Sequence, residues 1–167
     1  MSPETAAEQA VVKMYEYDGA INVAYHLCAS TSGRNEGRLR EVSVGAISES
    51  TIAELSAMLA LCPSHPWAER VQTMATFMED LLPLLISADD ALVGEEVQPG
   101  TYYVEGGVAN CYWERQGKSG SAIDNDFIVE ARRVEVVIQP SDYAFQSDGC
   151  GIWVPTSVPI PEGVTLR

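Results

Sequence analysis

Apolar residues recur at intervals of three and four in the first half of the chain and at intervals of two in the second half. Between Pro3 and Ala29, the residues Val11, Met14, Ile21, Tyr25 and Cys28 fall along one stripe of an α-helix. Asp18 lies on that stripe as an edge residue reaching water, and Gly19 beside it, costing about 1 kcal/mol of helix propensity, marks a bend or a close contact. A second helix starts at Thr51-Ile52-Ala53-Glu54, read as a capping box in which hydroxyl and carboxylate satisfy orphan backbone donors. Ile52, Leu55, Leu59 and Cys62 give it a stripe, and Pro63 ends it. Ser64-His65-Pro66 opens a third helix with Pro at the first helical position. Trp67, Val71, Met74, Met78, Leu81 and Leu85 then supply the clearest helical spacing in the chain, and Pro83 is expected to kink or break it. Residues 30–49, with Gly33, Gly37 and Gly45, read as a long connection holding a short extended piece from Leu39 to Val44. Connections of that length are either functional or mobile.

After Gly94, Gly, Tyr and Val replace Leu and Met, and the period of two predicts strands. The candidates are Thr101 to Glu105, Ala109 to Gln116, Phe127 to Gln139 with a bend near Ala131, and Gly151 to Pro155. Gly106-Gly107, Gly117 to Gly120 and Asp124-Asn125 are read as the turns between them. Pro155, Pro159 and Pro161 keep the last stretch out of a central strand. The expected fold class is therefore α+β. A bundle of about three helices covers residues 1–93, a small antiparallel β domain residues 94–156, and a Pro-containing tail residues 157–167.

Charge narrows the choice of partners. Ten Lys and Arg against 24 Asp and Glu leave a formal charge of −14, which repels phosphate backbones and anionic headgroups, so nucleic acid is not expected as a partner. Arg34, Arg38 and Arg40 in the long connection, and Arg132 and Arg133 in one strand, are read as solvated or paired with neighbours such as Glu36 and Glu41, with a small anion site as the lesser reading. No apolar run approaches the roughly 20 residues that span a bilayer, so no transmembrane segment is expected. Met1 to Thr5 has neither the basic region nor the apolar core of a secretory signal. Either the chain is not exported by that route or these residues follow a cleavage point.

Cysteine adds a covalent constraint. Cys28, Cys62, Cys111 and Cys150 show no CxxC and no His pair at ligand spacing, so zinc is not expected. Three pairings are possible; one pair per half favours Cys28 with Cys62 and Cys111 with Cys150, against the alternative of four buried thiols. Closing the second loop stabilises by about 4 kcal/mol in the chain-entropy model, a large share for a small β domain. The first bridge would draw the ends of the first two helices together, so the long connection must run back alongside the second helix.

Several stretches of the β half together resemble a known domain. They are Pro99-Gly100-Thr101-Tyr102, Cys111-Tyr112-Trp113-Glu114-Arg115, Pro140-Ser141-Asp142 with Ala144-Phe145 and Ser147, and Gly149-Cys150-Gly151 followed by Trp153. The pattern resembles a small disulfide-containing β domain at the C-terminal end of exported or lipid-anchored actinobacterial proteins and of some proteins encoded by their phages. The resemblance runs from Val93 to Val154 and implies a bridge between Cys111 and Cys150. It carries no catalytic residue. Gly149 and Gly151 would adopt turns forbidden to side chains, and Trp113 and Trp153 would pack over the bridge. The sequence departs from the pattern at Ile152 and between Tyr103 and Gly107.

Reactive chemistry is sparse. His26 and His65 neighbour no recognisable nucleophile motif, and Gly117-Lys118-Ser119-Gly120 lacks the upstream glycine spacing of a P-loop. Asp124-Asn125-Asp126, with Glu95-Glu96 or Asp89-Asp90, offers oxygen ligands, but a solvated turn is favoured over a calcium site. Tyr102, Tyr103, Tyr112, Trp113 and Trp153 are the candidate binding surface, with Tyr143 a further aromatic, and core packing is expected to use at least half of these rings. The expected protein is non-enzymatic, extracytoplasmic or secreted, without metal or cofactor, and directed at a protein or cell-envelope partner. The alternative is a virion protein, such as a capsid-decorating or tail component.

Overall fold

In the computed structural model, residues 3–15, 20–30, 41–87, 89–162 and 164–166 are described. Asp18, Gly19, Gly33, Gly37 and the cluster of Arg34, Glu36, Arg38 and Arg40 lie outside them, as do Leu39 of the expected extended piece and the side chain of Glu41. The α+β architecture is the one found: helices first, then an antiparallel sheet. The chain divides into two compact units, one of residues 1–82 with 160–166, the other of residues 83–159.

The first unit opens with a capping box that the sequence reading placed elsewhere. Thr5 Oγ1 accepts from the Glu8 N–H at 3.2 Å, while Glu8 Oε2 accepts from the N–H groups of Thr5 and Glu4, each at 2.8 Å. They start α1 (Ala6–Tyr15), which is followed by α2 (Ala20–Ser30). The expected single helix from Pro3 to Ala29 is instead two that fold back on each other. The Tyr25 hydroxyl donates to Glu8 Oε1 at 2.9 Å, whereas 17 residues along one helix would separate them by about 25 Å. Val11, Ala24 and Ala57 form the core between α1, α2 and the helix over Glu49–Leu61, the two alanines allowing close approach.

Helix α3 (Glu49–Leu61) begins earlier than Thr51 predicts. Its N-cap is Ser48, whose hydroxyl accepts from the Thr51 N–H at 3.2 Å. Burial also departs from the expected stripe. Ala57 and Met58 are its buried residues, and Ile52, Leu55 and Leu59 are half-buried, because α1, α2 and the helix over Ala68–Leu81 all pack against this helix and no single face is the inner one. Helix α4 (Ala68–Leu81) starts after Pro66 rather than with it; the His65 ring accepts from the Trp67 N–H through Nδ1 at 3.1 Å and shapes the turn between α3 and α4. Val71, Met74, Met78 and Leu81 are buried as the spacing predicts, and the helix breaks into a 3-10 turn at Leu82–Leu84, where Pro83 lies. The tail reaches back to this unit: β7 (Thr165–Leu166) pairs in parallel with β1 (Glu41–Val42), burying Leu166 and Val42.

The second unit is a sheet built on one long hairpin. β3 (Gly100–Gln116) and β4 (Ala122–Ile138) pair antiparallel, with Gly117 to Ser121 as the turn. The two strands predicted on either side of Gly106-Gly107 are one strand, and those glycines form a β-bulge opposite Arg132, between the pairs Glu105–Arg133 and Val108–Ala131. Both glycines take positive φ, which suits a bulge as well as a turn. Asp124-Asn125 is likewise not a turn but part of β4. Two strands were not foreseen, β2 (Asp90–Leu92) and β5 (Ala144–Asp148); they give the order β2-β5-β3-β4, and β6 (Val154–Pro155) adds to the first half of β3. Trp153 joins by a bridge to Ile86, upstream of the change in period.

Candidate functional site

The β unit has a covalent centre. Cys111 and Cys150 are bonded at a Cα separation of 4.4 Å, and Cys28 and Cys62 are bonded in the helical unit at 6.3 Å. Alternation along β3, shifted by one residue at the Gly106-Gly107 bulge, turns Tyr102, Val104, Cys111 and Trp113 toward one core, where Cys150, Phe145 and Trp153 meet them. Phe145 and Trp153 pack edge to face with centroids 5.3 Å apart. The indole N–H groups of Trp113 and Trp153 are buried with no acceptor among the described residues, a cost of about 1–3 kcal/mol each that packing must exceed. Gly149 has φ +68°, and a Cβ there would lie 2.5 Å from the Asn110 carbonyl oxygen, so no side chain fits beside Cys150.

An ion pair that the sequence reading missed locks two of the motif stretches together. Arg115 Nε donates to Asp142 Oδ2 at 2.7 Å and a second guanidinium nitrogen donates to Oδ1 at 3.1 Å. Asp142 also accepts from the Gln139 N–H at 2.7 Å, and its side chain is fully buried. Burial opposes its charge, but the Arg115 hydrogen bonds, the Gln139 N–H and the adjacent positive charge together hold its pKa below the ordinary aspartate value. The only sequence signal for this pair was the presence of opposite charges in two pieces of the same motif.

The candidate aromatic surface does not assemble. Tyr102, Tyr103, Trp113 and Trp153 are all buried; Tyr102, Trp113 and Trp153 belong to the core of the sheet, and Tyr103 lies on the opposite face of β3 from Tyr102. Tyr102 donates to the Gln98 carbonyl at 2.9 Å, and Tyr103 lies under the Arg133 guanidinium at 3.7 Å. Arg133 is also paired with Glu105 and Glu135, so it offers no anion site. Tyr112 alone of the five is half-exposed; it donates to Glu114 and accepts from Asn125 Nδ2 at 3.3 Å. Burial of the other four transfers the exposed apolar surface to β4. Ile123, Phe127 and Val129 are 51%, 59% and 69% exposed and share one side of the strand.

The reactive groups singled out in the sequence lie apart among the described residues. His26 is exposed on α2 and His65 is engaged with the Trp67 N–H. Alternation places Asp124 and Asp126 on one face of β4 and Asn125 on the other, and Asp124 pairs with Arg115 at 3.4 Å. Among the described residues no group of three or more His, Cys, Asp or Glu is placed to hold a metal ion, and no helix is long and apolar enough to cross a membrane. A shallow groove of about 300 Å³ in the helical unit runs between α4 and the returning tail, lined by Glu69, Arg70, Thr73 and Glu162 among others. Within it the Thr73 hydroxyl donates to the Glu69 carbonyl at 2.9 Å.

This geometry defines a class: a small antiparallel β module with a disulfide at its centre, attached to a disulfide-linked helical unit. Residues 90–154 match the family model of the Rv1352-like extracellular domain. Neither the curated proteins nor the solved structures offer a match. The extracellular-domain match and the two disulfides point to an extracytoplasmic location.

Proposed function

We propose that this is a non-enzymatic extracytoplasmic protein in which the disulfide-held β module presents the outer half of β4 to a protein partner. The observation that carries the reading is the exposure of Ile123, Phe127 and Val129 along one side of a single strand. Scattered surface apolar residues need no explanation, but three aligned on the arm of a rigid hairpin form a contact patch. The motif residues support a scaffold role for the rest of the module, since Cys111, Trp113, Arg115, Asp142, Gly149, Cys150 and Trp153 are used in packing, bridging or turning the chain.

A photo-crosslinking amino acid placed at Phe127 or Val129 in cells should yield adducts in the envelope or secreted fraction, and the same group at exposed Thr156 should not. Alkylation before reduction should label none of the four cysteines. Free thiols in the mature protein, or adducts no more frequent at Phe127 than at Thr156, would overturn the proposal.

A further inference from the structure

The order of residues along β4 points to a particular occupant of this patch. β4 pairs with β3 on one edge only, and no strand among the described residues takes the other. Exposed strand edges are usually blunted by Pro, charged side chains or short length; Ala122–Ile138 has no Pro and is 17 residues long, so charge is what guards it. Its charges are exposed and ordered: acidic at Asp124, Asp126 and Glu130, basic at Arg132 and Arg133, and acidic again at Glu135, which pairs with Arg133. Arg133 is paired within the sheet, whereas Asp126 and Arg132 make no ion pair among the described residues.

We infer that β4 pairs antiparallel with β4 of a second copy about a two-fold axis at Val129. This rests on the reading of the β4 face as a contact surface and names its partner. In that register residue i faces residue 258 − i of the other copy, so Asp126 meets Arg132 on both sides of the axis. Phe127 meets Ala131, and Val129 meets its own counterpart. No like charges are opposed between Ile123 and Glu135. Centring the axis on Ile128 instead sets Asp126 against Glu130, and centring it on Glu130 sets that carboxylate against itself. Centring it on Ala131 pairs Glu130 with Arg132 but sets Val129 against Arg133 and Phe127 against Glu135, whereas the Val129 register pairs unlike charges and gathers the most exposed apolar residues at the axis, the self-complementarity that a two-fold interface requires.

The test is sedimentation of the full chain across a concentration series with three charge variants, Asp126→Arg, Arg132→Asp and the double exchange. Each single reversal should weaken dimerisation roughly tenfold or more, and the double exchange should restore it. Val129→Cys should form a covalent dimer on mild oxidation, because facing residues of antiparallel strands lie within disulfide reach. Ile123→Cys, about 40 Å from its own counterpart in this register, should not. A wild-type chain that stays monomeric at all concentrations overturns the dimer while leaving a heterologous partner at β4 to the crosslinking experiment. A dimer indifferent to all three charge variants, or one that Ile123→Cys traps as readily as Val129→Cys, places the interface elsewhere and overturns it as well.

Discussion

The two disulfides close loops of similar length in very different surroundings. Cys28 and Cys62 are 34 residues apart, Cys111 and Cys150 are 39 apart, so chain entropy assigns both about 4 kcal/mol. Yet Cys28 and Cys62 are half-buried near the ends of α2 and α3, whereas Cys111 and Cys150 are buried among Phe145, Trp113 and Trp153. The helical bridge ties two elements that already share the Val11, Ala24 and Ala57 core. The β bridge is itself part of the core. Equal cross-links are therefore unequal in packing, and the small β unit depends more on its own.

The largest effect expected from this difference is on replacing Cys111 and Cys150 together by Ala. The β unit should lose the 4 kcal/mol of the constraint and about 1 kcal/mol or more of packing besides. Cys28→Ala with Cys62→Ala should cost the helical unit the constraint alone. Hydrogen exchange on the full chain separates the two by comparing amides of β3 and β4 with those of α3 and α4. Equal losses of protection would break the comparison.

Next in size is Arg115→Met, which leaves the Asp142 carboxylate buried without its partner and should cost about 3 kcal/mol. Asp142 also sets an acid limit. Its pKa when folded lies below the ordinary value of 3.8, so its contribution is complete above that value and is lost as pH falls through the folded pKa. An acid titration followed by tryptophan fluorescence should show Asp142→Asn less stable at neutral pH, with a shallower loss of stability below about pH 4. The smallest effect belongs to Glu8→Gln. Glu8 has a lowered pKa chiefly from the backbone hydrogen bonds of Thr5 and Glu4, so its contribution is also lost in acid. The variant should lower helical signal modestly at neutral pH and flatten its acid dependence, as circular dichroism would show.

Local rules made much of the fold legible. The spacing of Val71, Met74, Met78 and Leu81 predicted the buried side of α4, and Pro63 and Pro83 bounded α3 and α4 as backbone chemistry requires. The division of the cysteines anticipated both bridges. What failed depended on distant partners. Gly106-Gly107 has the same positive φ in a turn or a bulge, and only pairing with residues 131–133 distinguishes them. β2 and β5 are short and exist because each has the other, and β5 also has β3. The candidate site was the least legible part. Tyr102 and Trp153 look like contact residues by type, and Phe127 and Val129 like core, but the sheet buries the first pair and exposes the second.

The pairing of Thr165–Leu166 with Glu41–Val42 makes the β module an insert in the chain rather than an appendage. A stop codon placed just after Thr156 would spare every strand of the module and remove β7, so its damage would fall on the helices. Any excised fragment, fusion or reporter joined at that point must therefore be judged by the half of the molecule it does not touch.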